Sequence, residues 1–207
     1  MNDILPKKPS RIQTRNRRLI LDAALEVFSR DGYGGATLDA IAKGAGLSKP
    51  NLLYYFDGKT EIYVTLLSQL LETWLDPLIE LDAKGDPVEE LLNYVRHKLD
   101  MALELPLESK LFAGEILQGA PRITAHLTDD LKPLFDRKCK VIQTWIDAGH
   151  LAQIDPAHLI FSIWSTTQHY ADFGAQTSVL LGTEDPAKRA HAHLEQMFRK
   201  LLQPVNQ

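Results

Sequence analysis

Residues 37–59 read TLDAIAKGAGLSKPNLLYYFDGK. Thr37 can cap a helix through its hydroxyl, with Leu38, Ile41 and Ala42 facing inward. Gly44-Ala45-Gly46 supplies a tight turn. Ser48 caps the next helix, and Pro50 sits in its first turn, where a missing N–H matters little. That helix is short, Lys49 to Tyr55, and Asp57-Gly58 ends it. Two short helices about a glycine turn make a helix-turn-helix. The motif needs its first helix pinned by apolar residues, here Ile41 and Leu47 against Leu25 and Phe28. Its second helix must be short and polar at its start, so that the exposed face enters a major groove. Asn51 has the edge that pairs with adenine, and Lys49 can donate to guanine or to a phosphate. The hydroxyls of Tyr54 and Tyr55 can reach phosphates. Lys59 opens the next helix, where its charge and the helix N-terminus both favour a phosphate.

Outward from this motif the pattern remains helical. Residues 17–31 (RRLILDAALEVFSRD) carry Leu19, Ile20, Ala23, Ala24, Val27 and Phe28 on an i, i+3, i+4 stripe, broken by Gly32. A long helix is predicted from Lys59 to about Leu75. Further helices are predicted over 87–105, 107–118, 123–148, 156–181 and 186–202. No alternating β-branched run survives. The expectation is an all-α chain of about nine helices: a three-helix DNA-binding head and a helical effector and dimerisation domain. The boundaries read as a flexible basic arm over 1–16, the head over 17–60 and the remainder over 61–207.

Charge divides the chain in the same place. Residues 1–59 hold ten basic and six acidic side chains, net +4, whereas the whole chain of 207 residues is net −4. A basic segment on an acidic protein fits a polyanion partner; a solvated charged tail fits equally. Lys7, Lys8, Arg11, Arg15, Arg17 and Arg18 either track DNA phosphates or remain in solvent. The single Cys139 excludes an internal disulfide and a cysteine-built zinc site. No apolar run reaches the ~20 residues that span a bilayer, and the first residues lack the apolar core of a secretory signal. A cytoplasmic protein without membrane contact is expected.

The order A-L-x-x-F, G-Y, T, I-A, A-G-L-S, L-Y-Y-F, K over about residues 15–66 resembles the tetracycline-repressor (TetR) family. The resemblance implies that three N-terminal helices bind DNA and that a divergent helical domain binds an effector and dimerises. It places Thr37, Lys49, Pro50, Asn51, Tyr54, Tyr55 and Lys59 on positions that touch DNA. Family members often carry Tyr where this chain has Leu53 and His where it has Tyr55. Leu53 is therefore expected to pack, and Tyr55 to keep a phosphate contact. Phe56 is read as a core aromatic.

In the second part, Leu159, Ile160, Ile163, Trp164 and Phe173, with Leu194, Met197, Phe198, Leu201 and Leu202, suit a homodimer interface made by the two C-terminal helices. For Ile160 and Ile163 a subunit core fits as well. Polar residues in apolar helices mark a pocket: Trp164, Thr167 and Gln168 within WSTTQHYADF, Trp74 as a platform, and Glu115 as a carboxylate that needs a partner. The runs LFAGEILQGAP (111–121) and IDPAHLIFSIWSTTQHYADF (154–173), with WL-x-PL at 74–78, resemble the pyrimidine-utilisation (Rut) regulators of the same family. That resemblance implies a uracil or thymine effector and relief of repression when it binds, with Trp74, Trp164, Thr167 and Gln168 around the ring. The same framework also suits another effector, in a regulator of a different catabolic or efflux pathway.

An enzyme is the main rival class. G-x-S-x-G, H-E-x-x-H, the P-loop and G-x-G-x-x-G are all absent from the sequence. His191 and His193, two residues apart on a helix, point apart. No cofactor and no metal are expected. An architectural DNA-binding protein, the remaining rival, leaves the acidic, pocket-like second part without a role. The expected action is a population shift: the dimer binds a pseudo-palindromic operator, and an effector near Trp74 biases head spacing through the long fourth helix.

Overall fold

The computed structural model describes residues 10–182 and 186–204. Among them the chain forms eleven α-helices and one π-helical turn, and no strand. It divides into two compact units, Met1–Gln69 and Leu70–Gln207.

The first unit begins with α1 (Arg11–Gly35). Ser10 Oγ accepts from Gln13 N–H while the Gln13 side chain accepts from Ser10 N–H, a reciprocal capping box. This Ser-x-x-Gln signal starts the helix six residues before the expected Arg17, so Arg11–Asn16 of the supposed flexible arm are helical. Lys7 and Lys8 lie outside the described residues. Gly32, at φ +67°, kinks the helix where a break was expected. Helices α2 (Leu38–Gly44) and α3 (Lys49–Tyr55) follow, capped by Thr37 and Ser48 as the sequence indicates. Gly46 turns the chain between them at φ +68°, a left-handed conformation that a side chain would strain. Gly44 lies close to α1: a Cβ there would lie 3.1 Å from Ala23 Cβ, so a side chain would push the two helices slightly apart.

Ile20, Ala24, Phe28, Ile41, Leu52 and Phe56 are buried in this unit, and Leu25 and Leu47 are half-buried. Helix α4 (Lys59–Glu80) adds Ile62, Tyr63 and Leu67 to the same core. Tyr63 meets Phe28 edge-on, with centroids 4.8 Å apart. The first unit therefore reaches Gln69 rather than residue 60. The helix also runs past the expected Leu75, because Pro77 falls in its last turns and removes only one backbone donor.

The second unit is built around α5 (Pro87–Glu104), capped by Asp86. Its inward stripe is Leu91, Leu92, Tyr94, Val95, Lys98, Leu99 and Ala102. It packs on α9 (Pro156–Asp172) and α11 (Pro186–Leu202), while α6 (Pro106–Leu117) packs on α9. The single helix expected over 123–148 is instead α7 (Thr124–His126), a π-helical turn (Leu127–Leu131) and α8 (Lys132–Asp147). Pro133 has no N–H for an α-ladder, and Lys132 N–H bonds Leu127 O one residue further back than an α-helix would. The helix expected over 156–181 breaks at Phe173, and α10 (Gly174–Leu181) continues after it.

The proposed dimer residues need correction. Leu159, Ile160, Ile163, Leu194, Phe198 and Leu202 are all buried within one chain, in the cluster that α5 completes. These six face their own subunit's core. Phe173 and Leu201 of the expected set are exposed, as are Phe161 on α9 and, on α10, Val179 at 81% and Leu180 at 75%.

Candidate functional site

The exposed side of the helix-turn-helix carries the expected DNA-facing residues. Helix α3 buries Leu52 and exposes Lys49, Pro50, Asn51, Leu53 and Tyr54. Lys49 Nζ pairs with Asp39 Oδ2 at 2.9 Å, in solvent on both sides. Such a pair contributes ~0–1 kcal/mol, so a phosphate or a base can displace it at little cost. Tyr54 is 70% exposed and meets Tyr55 edge-on, with centroids 5.0 Å apart. Leu53, expected to pack, is 42% exposed instead. It lies on the outward side of a helix whose apolar contact is made by its neighbour Leu52. Phe56 is a core residue.

Three other residues are engaged within the unit. Thr37 Oγ1 accepts from Ala40 N–H at 3.1 Å, so its hydroxyl already caps α2. Lys59 Nζ donates to Tyr33 O at 2.7 Å and Ala36 O at 2.9 Å, and lies 4.6 Å from the Tyr33 ring centroid. Lys59 thus fastens the start of α4 to the glycine-rich end of α1. Tyr55 OH accepts from Asn16 Nδ2 at 2.8 Å. Arg17 Nη1 donates to Tyr55 O at 2.6 Å, and its guanidinium lies 4.1 Å from the Phe56 ring centroid. The sequence left Arg17 either on DNA phosphates or in solvent, and the structure instead uses it to anchor the end of α3. Arg11, Arg15 and Arg18 remain exposed on α1.

The second unit brings four of the five expected ligand residues together. Trp74, Trp164 and Gln168 line a cavity of about 60 Å³ with Leu71, Leu75, Lys98, Phe112 and Leu131. Thr167 borders a crevice beside it, with Trp74, Lys98 and Ser109. Beyond Phe112, Leu131, Trp164 and Gln168 lies an apolar groove of about 670 Å³. Trp164 Nε1 donates to Tyr94 OH, a phenol whose pKa burial raises and that indole bond lowers in part. Gln168 Nε2 donates to Ser109 Oγ at 3.3 Å, and Ser109 Oγ donates to Asp172 Oδ1 at 2.6 Å. Thr167 Oγ1 donates back to Ile163 O at 2.7 Å.

Trp74 Nε1 is buried and has no hydrogen-bond partner among the described residues. An orphaned indole donor in a cavity wall is an unusual feature of a protein interior and asks for an acceptor.

Glu115 is the exception among the expected ligand residues. It is fully buried, and its carboxylate accepts from Arg122 N–H at 2.8 Å and Arg122 Nη1 at 2.9 Å. The partner it needed is the chain segment after α6, where Ala120 takes φ +53°. It lines neither the cavity nor the groove.

Lys98 was missed, although its signal was present. It occupies an inward position of α5, three residues after Val95 and four before Ala102. Burial alone pushes its ammonium down to about 8. The nearest described interaction is the Trp74 ring, 5.1 Å away. Ser109 and Asp172 were missed as well, because their roles depend on two helices meeting.

Among the described residues, no three of His, Cys, Asp and Glu converge as a metal site would require. No described helix is long and apolar enough to cross a membrane.

Residues 20–66 match the family of bacterial regulatory proteins named tetR, and residues 67–205 match the C-terminal region of YcdC-like proteins. The HTH-type transcriptional regulator RutR of Escherichia coli K12 is 45% identical over 175 residues, covering 84% of this chain and 82% of that protein. Among solved structures, a regulatory protein of the tetR family from Rhodococcus RHA1 superposes with a TM-score of 0.75 at 18% identity, over 96% of this chain and all of the other. The ketosteroid transcriptional regulator KstR2 of Mycobacterium tuberculosis gives a TM-score of 0.70 at 18% identity, over 97% and 98% of the two chains. These relatives are transcription regulators rather than enzymes. An all-α chain with a capped helix-turn-helix and a separate helical unit, matched in both parts, belongs to the TetR family of DNA-binding transcription regulators.

Proposed function

We propose that this regulator is a cytoplasmic repressor that binds a pseudo-palindromic operator as a homodimer and releases it when uracil or thymine binds the second unit. The observation that carries the effector reading is the cavity where Trp74, Trp164 and Gln168 converge around an unpaired indole N–H. A pyrimidine-dione ring is flat and alternates C=O with N–H. Trp164 offers it a face, Trp74 Nε1 offers a donor, and the Gln168 carbonyl oxygen offers an acceptor. A ring entering by the groove reaches the smaller cavity by displacing the shared side chains.

Lys49, Pro50, Asn51 and Tyr54 meet the major groove, with Thr37, Tyr55 and Lys59 at its phosphate edges. Half-sites then stand ~34–36 Å apart or a multiple of it. Helix α4 carries Lys59 at its start and Trp74 in its fourth turn, so it is the proposed route from effector to head. A ligand with a hundredfold preference for the released state shifts the balance by ~2.7 kcal/mol. The dimer interface is assigned to Phe161, Phe173, Val179, Leu180 and Leu201, large apolar residues between the start of α9 and the end of α11 that the subunit leaves exposed.

The test is calorimetric titration of the protein with uracil and thymine, followed by operator gel shifts with and without the bound ring. Saturating ring should raise the melting temperature and release DNA. Binding of neither ring refutes the effector assignment. A second reading rests on the 670 Å³ groove, whose Phe112, Ile116, Leu117, Leu127 and Phe173 suit a larger apolar effector of another catabolic or efflux pathway. It wins if such a molecule binds and the pyrimidines do not.

A further inference from the structure

Two donors belong to residues that line this cavity, and among the described residues no protein acceptor satisfies either. Trp74 Nε1 has no partner, and Lys98 is nine-tenths buried with no hydrogen bond or ion pair among the described residues. Both residues line the 60 Å³ cavity and the adjoining crevice. Desolvating an ammonium without a counter-charge is costly, and proteins normally avoid it. The carboxylate lining the neighbouring groove, Asp172, accepts from Ser109. Among the described residues the Lys98 ammonium has the Trp74 ring 5.1 Å away and no carboxylate paired with it.

We propose that Lys98 and the Trp74 indole N–H form a two-donor selector, so that the cavity takes rings presenting oxygen acceptors and prefers an anionic oxo-pyrimidine to a neutral one. This inference rests on the reading of the cavity as a pyrimidine-ring site. A neutral dione gives each donor a carbonyl. An ionised ring adds the charge complement that Lys98 lacks, and charge-assisted hydrogen bonds are about twice as strong as neutral ones. An aminopyrimidine such as cytosine places an N–H₂ donor where a carbonyl stood. It leaves a buried donor unpaired, the kind of mismatch that polar sites reject most strongly.

The probes are uracil, cytosine and barbiturate, a trioxopyrimidine that is an anion at neutral pH. All are titrated calorimetrically into the full-length protein at pH 7. Barbiturate is expected to bind about tenfold or more tighter than uracil, and cytosine at least about a hundredfold weaker than uracil. Lys98→Met keeps side-chain length and removes the charge. It is expected to abolish the preference for barbiturate and, without ligand, to melt above the wild type because an unpaired buried charge is gone. Trp74→Phe keeps an aromatic ring and removes the N–H; it should weaken both oxo-rings by a similar factor and leave the anion preference in place. The proposal is overturned if uracil binds and barbiturate binds no tighter, or if Lys98→Met retains the preference. A lower melting temperature for Lys98→Met also overturns it, since Lys98 would then be a paired structural residue. If neither oxo-ring binds the wild type, the pyrimidine reading falls and this inference falls with it.

Discussion

Replacing Arg17 with Met removes the one charged donor that anchors the end of the recognition helix. Arg17 Nη1 meets Tyr55 O at 2.6 Å, and its guanidinium lies 4.1 Å from the Phe56 ring centroid. A hydrogen bond to a charged group contributes ~1.5–3 kcal/mol. A partly exposed cation–π contact adds ~0.5–1 kcal/mol. Arg17 is half-buried, so solvent screening favours the lower ends, and the sum is ~2 kcal/mol. Methionine retains the aliphatic stem and its packing on Phe56, which isolates the polar loss. For a chain of this size, that loss lowers the melting temperature by about 4–8 °C. The same change frees the last turn of α3, so operator affinity should fall by about tenfold or more beyond what one phosphate contact supplies. Urea unfolding followed by circular dichroism measures the first effect, and fluorescence anisotropy with labelled operator the second. The salt dependence separates the two roles. A phosphate-binding arginine would flatten the slope of log K against log salt by about one unit; an anchoring arginine leaves the slope unchanged. A stability change below about 0.5 kcal/mol, or a flattened slope, refutes the anchoring role.

Asn51→Ala should weaken operator binding by ~1–3 kcal/mol at one base position; anisotropy with single-base operator variants will show a loss confined to that position. Glu115→Gln should destabilise the second unit by up to about 3 kcal/mol, because it breaks a buried pair whose other member, Arg122, keeps some solvent contact. Thermal melting checks the loss, and an unchanged effector affinity for the folded protein confirms that Glu115 stands outside the cavity. The buried ammonium of Lys98 predicts a pH effect of definite sign. Its pKa is about 8 in the folded chain and ~10.4 in an unfolded one. The folded state therefore gives up its proton first as pH rises. Its destabilising contribution is complete below about pH 8, shrinks between 8 and 10.4, and is gone above. The stability gap between Lys98→Met and the wild type should close by ~3 kcal/mol across that window; a constant gap in urea titrations from pH 7 to 10.5 contradicts the buried charge.

The helix-turn-helix was legible because its signals are local. Thr37, Ser48, Pro50 and Gly46 each act within four residues of themselves, so caps and turns can be read without knowing what they pack against. The start of α1 carried the same kind of signal in Ser10 and Gln13, hidden by the basic residues around it. Arg17 shows the limit: its partners lie 38 and 39 residues away, and a basic side chain near DNA-facing residues reads as a DNA contact until they are seen. The apolar residues of α9 and α11 were identified as buried, but sequence does not say which surface buries them. The core claimed Ile160 and Phe198, leaving the less conspicuous α10 exposed. In the cavity, aromatic and carboxamide residues stood out by type. Lys98 did not, because a lysine on an amphipathic helix is normally at its edge with its charge in water; only its position three residues after Val95 marked it.

The Glu115–Arg122 clasp bears on how such a regulator acquires new inducers. Helix α6 is tied down at its C-terminal end by a carboxylate that lines neither cavity nor groove, while Phe112, one turn earlier, and Leu131 on the π-turn contribute to the cavity wall. Anchorage and recognition therefore reside in different residues of the same helix. Substitutions at Phe112 or Leu131 can redraw the chamber while the fastening that keeps α6 in place persists. A sensor library varied at those two positions, with Glu115 and Arg122 held, should yield a high proportion of folded members with altered inducer choice.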